Sequence, residues 1–349
     1  MINIPHNGYK WIDLNEKDDK QMRYCLHTLL ISSRPLLASA DLAVIQSAFQ
    51  EYISLTCIRF VERKSETDYI QIHSVDGIGG PQDLSILNPG CVSKGIVQHE
   101  LNHVLGFVHE HTRSDRDFYV DINWIYIPDA YKSNFEKSQP DTNNLALQYD
   151  YMSVMHYGKF AFTSVLGQPT IVPKPDPTVP IGQRYGLSSL DIMKINRLYQ
   201  CDVCSSLLCE PYGSFDSVSI NRPDCVWLIR VPGNKVYLQF HTFTTSPSCT
   251  SDYITVYDGA SKSSPVLLNT TCRKGEPPLV VSTGSLMLVE FWSKEKTSFS
   301  ASYHTVVCGG TFTTGNGTVT SPGFPTKYFP STDCKWSIVA PPGYKVSIR

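Results

Sequence analysis

The stretch HELNHVLGFVHEH, residues 99–111, contains four of the ten histidines in a chain of 349 residues. Residues 96–105 carry apolar side chains at helical spacing, and Gly106 is of the type that commonly follows the last residue of a helix. His99 and His103 are four positions apart, so a helix places them on one face. The stretch therefore predicts a helix that presents two converging imidazoles just before its end.

The same residues predict a zinc site. Two neutral imidazoles can bind Zn2+, and a chain that leaves the helix at Gly106 can return His109 as a third ligand. Three protein ligands leave one coordination position open for water, as a catalytic zinc requires. Glu100 can take the proton of that water and pass it to a leaving amine. His111 is not required by this pattern and is predicted not to be a ligand; the alternative for the whole stretch is a helix with ordinary histidines.

The composition bounds the class of protein. With 41% apolar and 18% charged residues, the chain has a globular composition. A formal net charge of −2 gives no sign of a nucleic-acid partner. No apolar run reaches the roughly 18 residues that a membrane span needs. The length predicts two or three domains.

Eleven cysteines scattered through a strand-rich chain indicate disulfides and an oxidising compartment. Two N-glycosylation sequons, at Asn269 and Asn316, agree with a secreted protein. Residues 1–20 are polar and charged, without the apolar segment of a signal peptide. We therefore expect a secreted protein whose signal and pro-segment are missing from this chain.

The pattern of apolar residues predicts helices and strands in the first half of the chain. Asp41 has the character of an N-cap before an amphipathic helix. Residues 57–61 and 69–73 alternate like strands. Residues 165–186 are rich in proline and glycine and predict a loop, and a further helix is expected at about residues 187–199.

After residue 204 the chain reads as a series of short strands separated by turns, which predicts a β-sandwich. An internal repeat supports two such units, because Asp-Cys-Val-Trp at 224–227 recurs as Asp-Cys-Lys-Trp at 333–336. The second copy starts near Cys308 and is short, so we expect that it is truncated.

Together these motifs resemble the astacin family of metzincin metalloendopeptidases over about residues 41–201. The resemblance rests on the zinc motif at 99–110, Arg-Ser-Asp-Arg at 113–116, Ser-Val-Met-His-Tyr at 153–157, Cys-Ile-Arg-Phe at 57–60 and the stretch 183–201. Residues 204–307 resemble a CUB domain, an extracellular β-sandwich, and 308–349 resemble the start of another.

The fold class implied by the resemblance is α+β: an astacin-like metzincin catalytic domain, then a β-sandwich CUB domain and the start of a second. The expected domains are a divergent N-terminal segment at 1–40, a protease domain at 41–203, a first CUB domain at 204–307 and a truncated second CUB domain at 308–349.

The resemblance also implies roles for residues at the zinc site. His99, His103 and His109 would bind one zinc ion, and Glu100 would be the general base and acid. Tyr157 would be a further, displaceable ligand that can swing away and hydrogen-bond the oxyanion of the reaction intermediate.

Four further residues receive implied roles. Met155 would form the hydrophobic base of the site, and Glu110 would contact the trimmed N-terminus of an activated enzyme. The alternative for Glu110 is a surface carboxylate. Gln82 would lie on an edge strand that pairs with the substrate backbone. Lys174 would prefer an acidic substrate side chain just after the scissile bond, and the alternative is a solvated loop lysine.

The resemblance also has implications for disulfide pairs and for calcium binding. The implied pairs are Cys57–Cys201, Cys249–Cys272, Cys308–Cys334, and Cys225 with either Cys204 or Cys209; the partners of Cys25 and Cys91 stay open. Some CUB domains bind Ca2+ through acidic residues. Asp252 fits one such position, but Ser246 stands where a glutamate is expected, so Ca2+ is not predicted.

The function implied by the resemblance is a secreted zinc-dependent endopeptidase that cuts extracellular proteins. One astacin domain followed by two CUB domains is similar to the layout of vertebrate hatching enzymes, which implies egg-envelope glycoproteins as substrates. The alternative is a catalytically impaired CUB-containing binding protein. A segment at 74–80 that is shorter than the family pattern keeps this alternative open.

Overall fold

The computed structural model describes residues 27–33, 39–62, 64, 70–73, 83–85, 93–138, 144–217, 224–244, 252–269, 279–293, 298–306, 309–313, 316–321 and 334–348. The chain divides into two compact units between Val203 and Cys204. The described residues contain no helix with both the length and the apolar character needed to cross a lipid bilayer.

A parallel sheet and the helix α1 open the first unit. The sheet contains β1 (His27–Ser33), β2 (Ile58–Glu62), β3 (Ile70–His73) and β4 (Asp83–Ser85), in the order β2-β1-β3-β4. All three strand pairs are parallel, and α1 (Ser39–Leu55) connects β1 to β2.

The strand β1 lies within the region that the sequence analysis sets apart as a divergent segment. It pairs with β2 on one side and β3 on the other, so the sheet begins before residue 41. Inner strands of parallel sheets carry continuous apolar runs and not an alternation. The short run at 29–31 gave no periodic signal for that reason.

The helix α1 begins at Ser39, so Asp41 lies in its first turn and is not its N-cap. A carboxylate in the first turn is favourable because it faces the positive end of the helix dipole. The buried face of α1 includes Ala48 and Tyr52, both fully buried. The Tyr52 hydroxyl donates to Asn102 Oδ1 at 2.9 Å and thereby joins α1 to the helix that carries the histidines.

The rest of the first unit consists of α2 (Lys94–Val104), β5 (Val120–Ile122), β6 (Ile171–Pro173) and α3 (Ser189–Leu198). β5 and β6 form an antiparallel pair, and β6 lies in the segment that the sequence analysis predicts as loop. A capping box between Ser188 and Asp191 starts α3, because each side chain accepts a hydrogen bond from the other residue's backbone N–H.

Two sheets form the core of the second unit. Its strands are β7 (Ser205–Leu208), β8 (Tyr212–Asp216), β9 (Asp224–Arg230), β10 (Lys235–Thr244), β11 (Tyr253–Tyr257), β12 (Val266–Asn269), β13 (Val280–Val281), β14 (Leu286–Trp292) and β15 (Ser298–Val306). The sheet orders are β13-β10-β15-β8 and β12-β11-β14-β9-β7. Side chains from both sheets share one buried cluster, which includes Trp227, Leu238, Val256 and Phe299.

A smaller sheet follows the sandwich. β16 (Gly309–Phe312) and β17 (Lys335–Ile338) form a parallel pair within the region predicted as the second CUB domain. The α+β class with a β-sandwich after the first unit is therefore confirmed.

The structure contains two disulfides between described residues. Cys57 bonds to Cys201 across 144 positions of sequence and ties the start of β2 to the segment after α3. Cys225 bonds to Cys204, so of the two partners left open by the sequence, Cys209 is not the one used. The Cys209 sulfur instead lies 3.6 Å from Arg230 Nη2.

The other cysteine predictions fall largely on residues that the structure does not describe. Cys334 is disulfide-bonded, and its expected partner Cys308 lies outside the described residues. The expected pair Cys249–Cys272, and Cys25 and Cys91, lie outside them too.

Candidate metal centre

The end of α2 positions the first two histidines and directs the chain back to the third. α2 ends at Val104, and Gly106 adopts a φ of 90°, which only glycine adopts without strain. The amide of Gly106 donates to His103 O and that of Phe107 to Asn102 O, each at 2.9 Å. These bonds close the helix end and start the return of the chain towards His109.

The three predicted metal ligands converge. His109 Nε2 lies 3.2 Å from His99 Nε2 and 3.2 Å from His103 Nε2. Zinc–nitrogen bonds of about 2.0–2.1 Å in a tetrahedral site place two ligand nitrogens roughly 3.3 Å apart. The donor atoms of all three histidines lie within 4.8 Å of one another. The observed spacing therefore fits three ligands of one zinc ion.

Backbone carbonyls hold the first two rings in the tautomer that can bind a metal. His99 Nδ1 lies 2.8 Å from Val154 O, and His103 Nδ1 lies 2.8 Å from Phe107 O. A carbonyl oxygen can only accept, so each Nδ1 carries the proton. The lone pair of each ring is then on Nε2, the atom that points at its neighbours.

The protein also favours the neutral form of all three rings. Burial, with smaller contributions from neighbouring cationic groups, lowers the pKa of His99 to about 4 and that of His109 to about 2. Burial likewise lowers the pKa of His103. Because only a neutral imidazole can ligate, this environment prepares the cluster for a metal ion.

Glu100 lies on α2 next to the first ligand and is partly buried. Burial raises the pKa of its carboxyl group, and the charge of Arg184 partly offsets that shift. A carboxylate with a raised pKa is a better proton acceptor at neutral pH. The electrostatics thus suit the base and acid role that the resemblance implies for Glu100.

Arg184 is a residue of the site to which the sequence analysis gave no role. Its Nη1 donates to His156 O at 3.1 Å and to Gln183 O at 2.8 Å, and its charge acts on both Glu100 and Tyr157. A Cβ added at Gly95 would lie 2.0 Å from Arg184 O. Glycine at that position of α2 therefore allows the Arg184 backbone to approach. The sequence does not predict a role for Arg184, because a single arginine in a predicted loop forms no spacing pattern.

The segment 153–157 connects α3 to the histidine cluster. Asp191 accepts from Ser153 Oγ at 2.6 Å and from Val154 N at 2.9 Å. The carbonyl of Val154 in turn accepts from His99. A capping residue of α3 thus supports the candidate ligand His99 through one intervening peptide, a contact that the sequence analysis does not predict.

Met155 is buried within the same segment, at 2% exposure. Its carbonyl accepts from the backbone N–H of Glu110 at 3.0 Å. The segment therefore lies directly against the chain that follows His109. This packed position suits the hydrophobic base that the resemblance implies for Met155.

Tyr157 lies against the histidines. Its ring centroid is 4.5 Å from that of His109 and 4.0 Å from that of His111. Burial raises the pKa of the Tyr157 phenol, and Arg184 partly offsets the shift. The hydroxyl therefore keeps its proton at neutral pH and can donate a hydrogen bond.

Glu110 is not a surface carboxylate, since it is 1% exposed. Its Oε2 lies 2.6 Å from Lys194 Nζ and its Oε1 lies 3.2 Å from Arg113 Nη1. Burial alone would raise the pKa of Glu110, but the neighbouring cations outweigh it and the pKa is lowered. Contact with a trimmed N-terminus stays a prediction, because the first residues of the chain lie outside the described part.

The substrate-binding roles of Gln82 and Lys174 remain predictions. Gln82 lies outside the described residues. Lys174 follows β6, and its Nζ forms an ion pair with Asp121 at 2.8 Å. That partner already neutralises part of the Lys174 charge, so its substrate role stays a prediction.

An α+β unit with three converging histidines and a glutamate between two of them defines the class of H-E-x-x-H metalloproteins. Within that class, residues 30–200 match the peptidase family described as Astacin. Residues 204–303 and 308–349 match the CUB domain. The first unit of the chain thus matches the astacin family, and matches to the CUB domain follow it.

Curated relatives agree with this assignment. "Embryonic protein UVS.2" of Xenopus laevis is 48% identical over 328 residues, 88% of this chain and 63% of that protein. "Astacin-like metalloendopeptidase" of Coturnix japonica is 51% identical, over 71% of this chain and 64% of that protein. "High choriolytic enzyme 1" of Oryzias latipes is 51% identical over 47% of this chain and 63% of that protein. The chain therefore spans just under two thirds of the length of these relatives.

Proposed function

We propose that this chain is a zinc-dependent endopeptidase. The observation that carries the proposal is the convergence of three neutral imidazole nitrogens, two of them 3.2 Å from the third, beside a carboxyl group of raised pKa. The match of residues 30–200 to a peptidase family supports the same activity.

His99, His103 and His109 would hold the zinc ion. When bound, zinc supplies Lewis acidity for the attack of water on a peptide carbonyl. The carbonyls of Val154 and Phe107 keep two of the three rings in the ligating tautomer. The protein thus contributes a prearranged site, and the cost of orienting the ligands is met during folding.

Proton transfer in this proposal belongs to Glu100. It takes a proton from the attacking water and delivers it to the amine of the departing peptide. Tyr157 keeps its phenolic proton and donates a hydrogen bond to the oxygen that becomes negative in the transition state. Arg184 acts on both residues through its charge and favours the anionic form of Glu100 before it accepts the proton and after it delivers it.

We further propose that the protein is secreted and acts on extracellular proteins. Disulfides in both units support an oxidising compartment. The similarity to a protein named high choriolytic enzyme supports egg-envelope proteins as substrates. The CUB domains would then serve to hold such a substrate or another extracellular partner.

The matched variant for testing the activity is Glu100→Gln, which keeps the volume of the side chain and removes its basicity. Casein cleavage and zinc content are measured for the full chain and for the variant. We expect one zinc ion per chain in both, with cleavage lowered by about 100-fold or more in the variant.

Equal and negligible cleavage by both proteins, with zinc bound, would contradict the peptidase proposal and support the CUB-containing binding protein. Substrate choice is tested separately, by comparing isolated egg-envelope protein with casein at equal mass. Faster cleavage of casein would contradict the hatching role and leave the peptidase activity standing.

A further inference from the structure

His111 lies two residues after a metal ligand but is not part of the ligand cluster. It occupies a short 3-10 turn, Glu110–Thr112, and is fully buried. Its Nε2 lies 3.0 Å from Asn134 O. Because a carbonyl only accepts, Nε2 carries the proton, and this hydrogen bond fixes the rotation of the ring about its χ2 axis.

This arrangement leaves one ring nitrogen of His111 without a hydrogen-bond partner among the residues that the structure describes. His111 Nδ1 is buried and accepts no hydrogen bond from any described residue. A buried acceptor without a donor costs about 1–3 kcal/mol. Phenylalanine would fill the same space without that cost. The packing of the core alone therefore does not account for a histidine at this position.

The face of the His111 ring lies on Tyr157. The two ring centroids are 4.0 Å apart and the ring planes differ by 26°, which is a stacked arrangement. Phe135 meets the edge of both rings, at 5.4 Å from His111 and 5.7 Å from Tyr157. His109 approaches the Tyr157 ring at 4.5 Å. Tyr157 is therefore held by aromatic neighbours, and His111 is the nearest of them.

We propose that His111 is a positioning residue for Tyr157. The hydrogen bond to Asn134 O orients the imidazole plane, and the stacked contact transmits that orientation to the phenol. The Tyr157 hydroxyl is thereby aimed at the oxygen that becomes charged during peptide hydrolysis. This inference rests on the proposed function, because it assigns His111 a part in the same reaction.

Two variants separate the ring contact from the hydrogen bond. His111→Leu and His111→Phe both lose the bond to Asn134 O, but only the leucine variant loses the stacked ring. We expect kcat to fall about tenfold or more in His111→Leu, since misplacing a reacting group is costly. His111→Phe keeps the stacked ring but loses the hydrogen bond that orients it, so kcat should fall by an intermediate amount, about three- to fivefold, and KM should change little in either variant. Wild-type kcat in His111→Phe, or a loss in His111→Leu no greater than that in His111→Phe, would overturn the proposal.

The Tyr157→Phe background shows whether His111 acts through the hydroxyl. Without a hydroxyl to aim, His111→Leu should lower kcat by less than about twofold further. The full loss in that background would overturn the proposal, because it would show an effect that bypasses Tyr157. Zinc content is measured for each protein to confirm that the cluster is intact.

A measurement that does not need proteolysis distinguishes failure of the His111 inference from failure of the peptidase proposal. Thermal denaturation midpoints are measured on the metal-free protein for His111→Leu, Tyr157→Leu and the double variant. The double variant should shift the midpoint by less than the sum of the single shifts, because the contact can be lost only once. If the shifts are additive, His111 and Tyr157 do not stabilise each other and the inference is overturned. If the double variant shifts the midpoint by less than the sum but the wild-type protein does not cleave casein, the peptidase proposal is overturned and the stacked contact stands.

Discussion

Lys194 Nζ lies 2.6 Å from Glu110 Oε2, with 3% of the lysine side chain and 1% of the glutamate side chain exposed. The pair joins α3 to the residue that follows the third histidine. Arg113 and the backbone N–H of Asp150 share Oε1 of the same carboxylate. The chain after the three histidines is therefore anchored by a buried charge whose hydrogen bonds are satisfied.

The first prediction concerns this ion pair. Lys194→Met keeps most of the side-chain volume but removes one of the cations that neutralise the buried carboxylate of Glu110. We expect the free energy of unfolding of the first unit to fall by about 3–5 kcal/mol. The exposed pair between Lys174 and Asp121 provides the control, since Lys174→Met should cost no more than about 1 kcal/mol. Calorimetry of the full chain measures both, and equal effects would contradict the prediction.

The second prediction is the pH dependence of the metal-free protein. The folded-state pKa values of His99 and His109, about 4 and about 2, lie below the 6.5 of an unfolded histidine. The unfolded chain therefore binds protons first as the pH falls. The stability that these rings contribute is complete above pH of about 6.5 and is lost progressively, towards about pH 4 for His99 and about pH 2 for His109.

A variant isolates the histidine contribution. Burial and Asp191 raise the pKa of Asp150 to about 7, and this group contributes with the opposite sign. His99→Asn keeps the Asp150 contribution and removes one imidazole. Between pH 6.5 and 4 the unfolding free energy should fall more steeply in the wild type than in this variant. Parallel curves from denaturant titration would show that the buried rings are not kept neutral.

The third prediction tests the support that α3 gives to the metal ligands. Asp191→Asn weakens the hydrogen bonds to Ser153 and Val154, so the carbonyl that orients His99 should lose its fixed position. Zinc affinity is expected to fall about tenfold or more. Competition with a chromogenic chelator measures it. Asp176→Asn is the control, because the hydrogen bonds of that exposed carboxylate to described residues stay within its own turn, at Thr178. Unchanged affinity in Asp191→Asn would refute the connection.

The fourth prediction concerns the close approach of α2 and Arg184. An alanine inside a helix is normally more stable than a glycine by up to about 1 kcal/mol. At Gly95 we expect the reverse, because the new Cβ would meet Arg184 O at 2.0 Å. Gly95→Ala should therefore lower both the denaturation midpoint and casein cleavage. Gly158→Ala, whose Cβ meets no atom within 4 Å, is the matched control.

Local patterns in the sequence were enough to predict the helix α2, the β-sandwich and the three candidate ligands. Spacing on a helix is a local property, so His99 and His103 had to share a face, and Gly106 had to end the helix. The strand β1 was not predicted, because its short apolar run does not alternate with polar residues. The roles of Arg184, Asp191 and Lys194 were not predicted, because the residues that they support are distant in sequence.

The order of amino acids established which side chains are available for chemistry: three imidazoles, a carboxylate and a phenol within residues 99–157, and a strand-rich region after them. The state of those side chains came from contacts made in the folded chain. Burial made the imidazoles neutral, carbonyls of Val154 and Phe107 chose the tautomer of two of them, and α3 held the segment that supplies the first carbonyl. Protonation and orientation depend on desolvation and on contacts between distant residues, and neither is encoded in spacing along the chain.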